Sequence, residues 1–328
     1  MNRRKVILDV DTGSDDAVAV VTAGLSEYID LVAVCSVWGN LSLDVTTDNT
    51  LRVVSAFNID SPVYRGCKDP LVKDLVADYP VRVRRQLTDE NGKPLAMHTP
   101  NMGLPEATRE AEDLPAAMFY VQYLRETKDP VTVVLVGPLT NFALALRIDP
   151  DIVRNVEEVV IMGGGSKFAN ARPCAEANIW NDPDAAQIVL DCGARVVFVP
   201  LDATHRGYLT GDDARKMREI GTPAAIFCAE QIEQRIKVHT LTQPLEVPDS
   251  AAVHDPMCIA YLIDPAVLND LRHVHVCIGQ GGPGEGQTIV DQRYYTREKN
   301  CWFAFNANRD LFAGILIDTL RKAAERGA

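Results

Sequence analysis

The sequence predicts an α/β protein, with an open, mostly parallel central sheet, helices on both faces and a small antiparallel edge. Short apolar runs rich in β-branched residues alternate with helix-like stretches, the order that βαβ crossovers generate. The runs are near-continuously apolar, as strands covered on both faces require. The chain has 328 residues, 47% of them hydrophobic, enough for one large α/β domain or two smaller ones, and is read as a single domain over 1–328.

Lys5-Val-Ile-Leu-Asp-Val10 reads as the first strand and 16–26 as its helix. Leu31–Val37 follows as a strand and 45–56 as a helix. Residues 67–105 are charged, Pro-containing and weakly periodic, so they are expected to form a surface insertion. A helix is expected over 106–126, then strand Val131–Val136, helix 140–147, strand Val156–Met162, helix 183–191 and strand Ala194–Val199. The stretch 227–253 is expected to combine a helix with a mobile loop beside the site. His273–Ile278, Gly286–Val290 and Cys301–Asn306 read as strands of a mixed or antiparallel edge.

A net charge of −12 and a pI near 5.0 argue against nucleic acid or an anionic membrane as partner. Eight dispersed cysteines without CxxC spacing behave as small hydrophobes and not as a disulfide framework. The apolar run after Met1-Asn-Arg-Arg-Lys5 is too short for a signal-peptide core, and no stretch is long enough to span a bilayer, so a cytoplasmic location is expected.

The strongest functional signal is Asp9-Val-Asp-Thr-Gly-Ser-Asp-Asp16, four carboxylates on one strand-to-helix turn. Such charges repel, and a hard divalent cation with carboxylate ligands removes that cost. Helix capping and the helix dipole account for one or two acids here, not four. Other polar or glycine-rich turns follow later strands: Trp38-Gly-Asn40, Gly137-Pro-Leu-Thr-Asn141, Gly163-Gly-Gly165 and Asp202-Ala-Thr-His205. Open α/β sheets bind ligands beyond the carboxyl ends of their strands, where all these turns converge.

These residues resemble the inosine-uridine-preferring nucleoside hydrolases. The hallmark DxDxGxDD turn is matched by Asp9, Asp11, Gly13, Asp15 and Asp16. The match continues in order through Gly39-Asn40, His98, the turn 137–141, Asn170, Ala175-Glu-Ala-Asn178, Asp182-Pro183 and His254-Asp255-Pro256. The resemblance implies a Rossmann-like sheet binding a ribonucleoside and one Ca²⁺ per subunit, in a homodimer or homotetramer. It assigns the metal to Asp11, Asp16, Asp255 and the carbonyl of Val136, with Asp11 also taking the proton from the attacking water. Asp15, Asn40, Asn170, Glu176 and Asn178 are implied to hold the ribose, with Asp9 orienting the turn.

The chemistry suits these residue types: a cationic, oxocarbenium-like sugar is attacked by a water that needs activation and a base nearby. His254 is implied to assist the leaving base, with His98 and, on the 227–253 segment, His239 beside it. That pattern favours base-nonspecific or pyrimidine-preferring members over purine-specific ones. Plainer accounts exist for each residue. Asp255-Pro256 suits a helix start, His98 a surface loop, Glu176 and Asn178 turn formers, and the glycines at 163–165 and 281–286 turns. His205, His273 and His275 are read as structural.

Three residues depart from the family pattern. Val136 replaces a common threonine, Ala169 a glycine, and Ala177 the more usual aromatic between Glu176 and Asn178. Two other classes compete. A haloacid-dehalogenase-like phosphatase would use Asp9-Val-Asp11 and Gly211-Asp-Asp213, but Gly13 and the lack of a well-placed lysine argue against it. A non-catalytic calcium or ribose binder would use the same fold without turnover; EF-hand spacing is not met.

Overall fold

The computed structural model describes residues 3–73, 87–88, 91–92, 94–293 and 298–327. The chain runs β1 (Arg4–Val10), α1 (Ser14–Leu25), β2 (Ile29–Ser36), α2 (Leu43–Ala56), β3 (Val63–Arg65), then the short strands β4 (Leu87–Thr88) and β5 (Pro94–Leu95). Next come α3 (Ala116–Glu126), β6 (Val131–Leu135), α4 (Thr140–Ile148), β7 (Val156–Met162), α5 (Ala177–Asn181), α6 (Pro183–Leu190), β8 (Arg195–Val199) and α7 (Leu201–Thr204). The remainder is β9 (Leu209–Thr210), α8 (Gly211–Ile220), α9 (Pro223–Thr242), β10 (Ser250–Ala251), α10 (Pro256–Ile263), β11 (Leu271–Ile278), β12 (Thr288–Asp291), β13 (Cys301–Ala304) and α11 (Arg309–Glu325).

Nine strands form one sheet in the order β12-β11-β13-β8-β7-β6-β1-β2-β3. Pairing is parallel from β3 across to β13, and antiparallel on both sides of β11. The chain leaves β1 toward β2 and β3, then returns to pair β6 on the other side of β1. That reversal is the topological switch point where such sheets bind ligands.

Side-chain alternation along the strands builds two cores. Val6, Leu8 and Val10 join one layer with residues of α1, α9, α10 and α11. Ile7 joins the other, with Phe119 and Tyr120 of α3, Phe142 of α4 and Val189 of α6. The same parity splits Val133 and Leu135 from Val134, and Val196 and Phe198 from Val197. Apolar side chains on both faces produce the unbroken apolar runs of the sequence.

The expected strands are all present, with ends within a few residues of those read from sequence. The helix expected over 106–126 begins only at Ala116. Pro115 is its N-cap with extended backbone, and upstream Glu112 bridges Tyr64 of β3. A proline ring is compatible with a helix start and not with its interior. The mobile loop expected over 227–253 is helix α9 as far as Thr242, leaving 243–249 as the connection to β10. Of the insertion read at 67–105, residues 74–86, 89–90 and 93 lie outside the described residues. No helix among the described residues is long and apolar enough to cross a membrane.

Candidate active site

The β1 alternation that sends Ile7 into the α3–α4 layer sends Asp9 there too. Its carboxylate is buried and accepts hydrogen bonds from Asn141 Nδ2 at 3.0 Å and Tyr120 Oη at 3.1 Å. Burial pushes its pKa up to about 7. Asn141 also donates to Ser36 O and accepts from Cys67 N, so Asp9 ties β1, β2 and α4 together from behind the turn. Asp11 lies beyond the strand end, where the alternation no longer applies, and faces the switch point.

The backbone wraps closely around Asp11. Asn40 N donates to Asp11 Oδ2 at 2.5 Å. Gly39 has φ +152°, and a Cβ there would lie 2.2 Å from the same oxygen. Asp16 accepts from Asp11 N at 3.1 Å, Gly13 N at 2.9 Å and Asn40 Nδ2 at 3.1 Å. Helix capping therefore explains Asp16 in part, and leaves Asp11 Oδ1 buried with no hydrogen-bond partner among the described residues.

Packing of α1 against α9 and α10 brings two distant residues to the turn. Asp255 precedes Pro256 at the start of α10 but makes no side-chain cap, so the plain helix-start account fails for its carboxylate. Arg235 of α9 places Nη1 2.7 Å from Asp15 Oδ1 and 2.9 Å from Ser14 Oγ, while its Nε donates to Ala252 O at 3.1 Å. Burial first, and the neighbouring carboxylates next, raise the pKa of Asp16 to about 6 and push Asp11 and Asp255 well above the ordinary range. This is the signature of a crowded acidic cluster without enough counter-charge.

Two ligand sets compete for a cation. Atoms of Asp15, Asp16 and His98 lie within 4.8 Å of one another, whereas the resemblance implies Asp11, Asp16, Asp255 and Val136 O. Charge favours the second set: the Arg235 guanidinium already occupies Asp15, and Asp11 Oδ1 lacks a partner. Oxygen-only donors of this kind fit a hard divalent ion. Val136 O already accepts from Asn178 Nδ2 at 2.8 Å, which leaves its second lone pair.

The structure brings His98 to the turn: Ser14 N donates to its Nδ1 at 3.2 Å, and a Cβ on Gly13 would overlap the ring. Asn49 of α2 fixes that approach by donating to Thr12 O and Thr99 O and accepting from Asn101 N. His254 is positioned by β10, which pairs with β9 a few residues earlier. Its Nδ1 lies 2.8 Å from Thr204 Oγ1 at the end of α7. Its ring neighbours those of His239 at 6.1 Å and His205 at 5.9 Å, centroid to centroid. Burial lowers all three, His205 to about 4 and His239 to about 3, so these imidazoles are neutral near pH 7.

The residues implied to hold the sugar also carry backbone. Glu176 caps α5, accepting from Asn178 N and Ile179 N, and takes Gly164 N at 3.0 Å. Asn178 Nδ2 bonds the carbonyls of Val136 and Met162, which end β6 and β7. Asn170 Oδ1 accepts from Ala177 N at 2.9 Å. Gly211-Asp-Asp213, the motif shared with the phosphatase alternative, forms the start of α8, where Asp213 caps Thr210 and pairs with Arg309.

Sequence reasoning missed Arg235, Thr204, Asn49 and the clustering of His205 with the other histidines. For Arg235 a signal existed: Cys228, Ile232, Arg235, Ile236 and His239 recur at helical spacing, and all five are buried on α9.

The inosine-uridine preferring nucleoside hydrolase family model matches residues 6–314. A curated pyrimidine-specific ribonucleoside hydrolase RihA of Escherichia coli (strain K12) is 33% identical over 318 residues, covering 96% of this chain and 98% of that protein. A solved purine-preferring ribonucleoside hydrolase from Gardnerella vaginalis superposes with a TM-score of 0.84 at 27% identity, covering 98% of this chain and 100% of that one. A solved plant nucleoside hydrolase gives 0.83 at 26% identity, covering 98% and 99%. With that match over nearly its whole length, and with the acidic turn at the sheet's switch point, the chain belongs to the inosine-uridine preferring nucleoside hydrolase family and is a ribonucleoside hydrolase.

Proposed function

We propose that this enzyme splits the N-glycosidic bond of ribonucleosides to free base and ribose with one Ca²⁺ held by Asp11, Asp16, Asp255 and the Val136 carbonyl. The observation that carries this reading is the excess of buried negative charge at the switch point. Asp11, Asp16 and Asp255 crowd together, the nearby guanidinium is spent on Asp15, and Asp11 Oδ1 is unpartnered. When bound, the ion would supply Lewis acidity that lowers the pKa of water at the site.

The protein's own groups do the rest. Asp11 accepts the proton of the attacking water. Asp15, aimed by Arg235, takes ribose hydroxyls, and Asn40, Asn170, Glu176 and Asn178 line the sugar's remaining edge. The surrounding carboxylates favour positive charge developing on the ribose. On the base side, His254 Nδ1 meets the Thr204 hydroxyl; with that hydroxyl as donor, the His254 proton sits on Nε2, from which it is offered to the departing base. His98 and His239 flank the same side.

A base-nonspecific or pyrimidine-preferring activity is supported by the histidines at 98 and 254 and by the 33% identity to the pyrimidine-specific relative. The resemblance alone supports a homodimer or homotetramer of single-domain chains. Eight free cysteines suit the reducing cytoplasm. The test is reducing-sugar release from inosine, uridine, cytidine, adenosine and nicotinamide riboside, with and without chelator. Release from at least one, abolished by chelation and restored by Ca²⁺, is expected; undiminished release after full chelation would remove the metal from the scheme.

A further inference from the structure

We infer that Phe168 and His205 form a preorganised aromatic wall against which the nucleobase stacks, which makes Phe168 a determinant of base affinity. The inference rests on the hydrolase reading above and adds the surface that reads the base.

The rings make a continuous row. Phe168 and His205 lie 4.9 Å apart at 58°, and His205 and His254 5.9 Å apart at 42°. Both separations fall in the range where aromatic pairs attract. Phe168 thus extends the row outward from His254, the group offered to the departing base. It does so while 36% exposed. Its ring meets His205 at a tilt, and its exposed part is open to an incoming aromatic group.

The loop presenting this ring is built to hold it still. The buried Asp202 carboxylate accepts from Ser166 N at 2.7 Å and Lys167 N at 3.1 Å. A Cβ on Gly165 would lie 2.1 Å from Phe168 O, so only glycine allows the loop to fold back so closely. Gly164 N is held by Glu176, and Gly164 O accepts from Leu201 N at 3.0 Å.

Helix α7 organises the whole row. Asp202 clamps the loop, Thr204 orients His254, and His205 fills the space between the two rings. Three functions on four consecutive residues give one rigid unit. A second, independent observation points to a ligand here. Nδ1 of His239, a residue 2% exposed whose ring lies 6.1 Å from that of His254, is buried with no hydrogen-bond partner among the described residues. A base against the wall has a polar edge able to meet such a group. The neutral state of His205 suits stacking on a neutral heterocycle.

The test separates base from sugar. Phe168→Ala lies on an exposed loop position, so the fold should survive, as a thermal melt confirms. Relative to wild type, it should weaken binding of free uracil and free hypoxanthine about tenfold, within what loss of one stacking face entails. Ribose should inhibit as before. KM for uridine should rise by a similar factor while kcat stays within about twofold, and Phe168→Trp should restore both. Unchanged base binding in Phe168→Ala, or an equal loss for base and ribose, would overturn the inference. If the wild type released no ribose from any nucleoside, the hydrolase reading would fall. Equilibrium titration of free bases would still decide the wall by the same criteria.

Discussion

If the acidic cluster holds Ca²⁺ as proposed, stability depends on pH and Ca²⁺ in a linked way. In the cation-free protein, Asp16 has a pKa of about 6 against an ordinary 3.8, because burial and Asp15 disfavour its charge. A raised carboxylate pKa means that the folded state keeps a proton which the unfolded chain has already released. The contribution is therefore fully present below about pH 4 and is lost as pH rises through about 6. The difference corresponds to about 3 kcal/mol at 1.36 kcal/mol per pKa unit. For 328 residues the unfolding entropy is about 0.7 kcal/mol/K, so the penalty translates to a melting temperature lower by about 4 °C. Asp11 and Asp255, shifted in the same direction, add to it. On the proposed assignment, Ca²⁺ would bind the ionised carboxylates and offset their repulsion. Thermal melts with chelator or with millimolar Ca²⁺ should therefore show a larger Ca²⁺-induced rise at about pH 8 than at about pH 5. Asp16→Asn should shrink the difference. A rise of equal size at both pH values, or none at either, would refute the assignment of the ion to these carboxylates.

Three further outcomes follow from the same geometry. Asp11→Asn should keep the fold yet lower kcat by about a thousandfold or more, the upper part of what loss of a general base costs; a variant with near-normal turnover would exclude Asp11 as the base. His254→Ala should slow uridine by about a hundredfold or more but p-nitrophenyl riboside far less, since that leaving group needs little help; equal losses on both would take His254 out of leaving-group assistance. Arg235→Met should destabilise by about 3–5 kcal/mol, because Asp15 stays buried without its partner; a melting temperature within a degree of wild type would show that the pair is not balancing charge as described.

Much of this was legible before any coordinates. The strands announce themselves because a parallel sheet buried on both faces demands unbroken apolar runs, and Val6–Leu8, Val131–Leu135 and Val196–Val199 supply them. The acidic turn is equally plain, because four carboxylates within eight residues have no cheap explanation without a counter-ion. Helix α3 starts at Ala116 and not at 106 because Pro115 sets its N-terminus, and α9 continues as helix to Thr242 through the charged residues that make its spacing hard to see. Both are local contests between pattern and backbone restriction, and the sequence carried the terms of each.

What sequence could not decide is which of these acids acts and which merely supports. Asp9 and Asp11 are two residues apart and chemically identical, yet one is sealed under Tyr120 and Asn141 while the other faces the site. Alternation alone would put both on one face; the end of β1 at Val10 separates them, since Asp11 lies beyond it. Arg235 meeting Asp15 and His205 joining Phe168 to His254 are contacts across 220 and 37 residues of chain or more, set by helix packing and loop closure. Local pattern reports which side chains a segment can bury. Only the packed sheet and helices choose the partners those side chains meet.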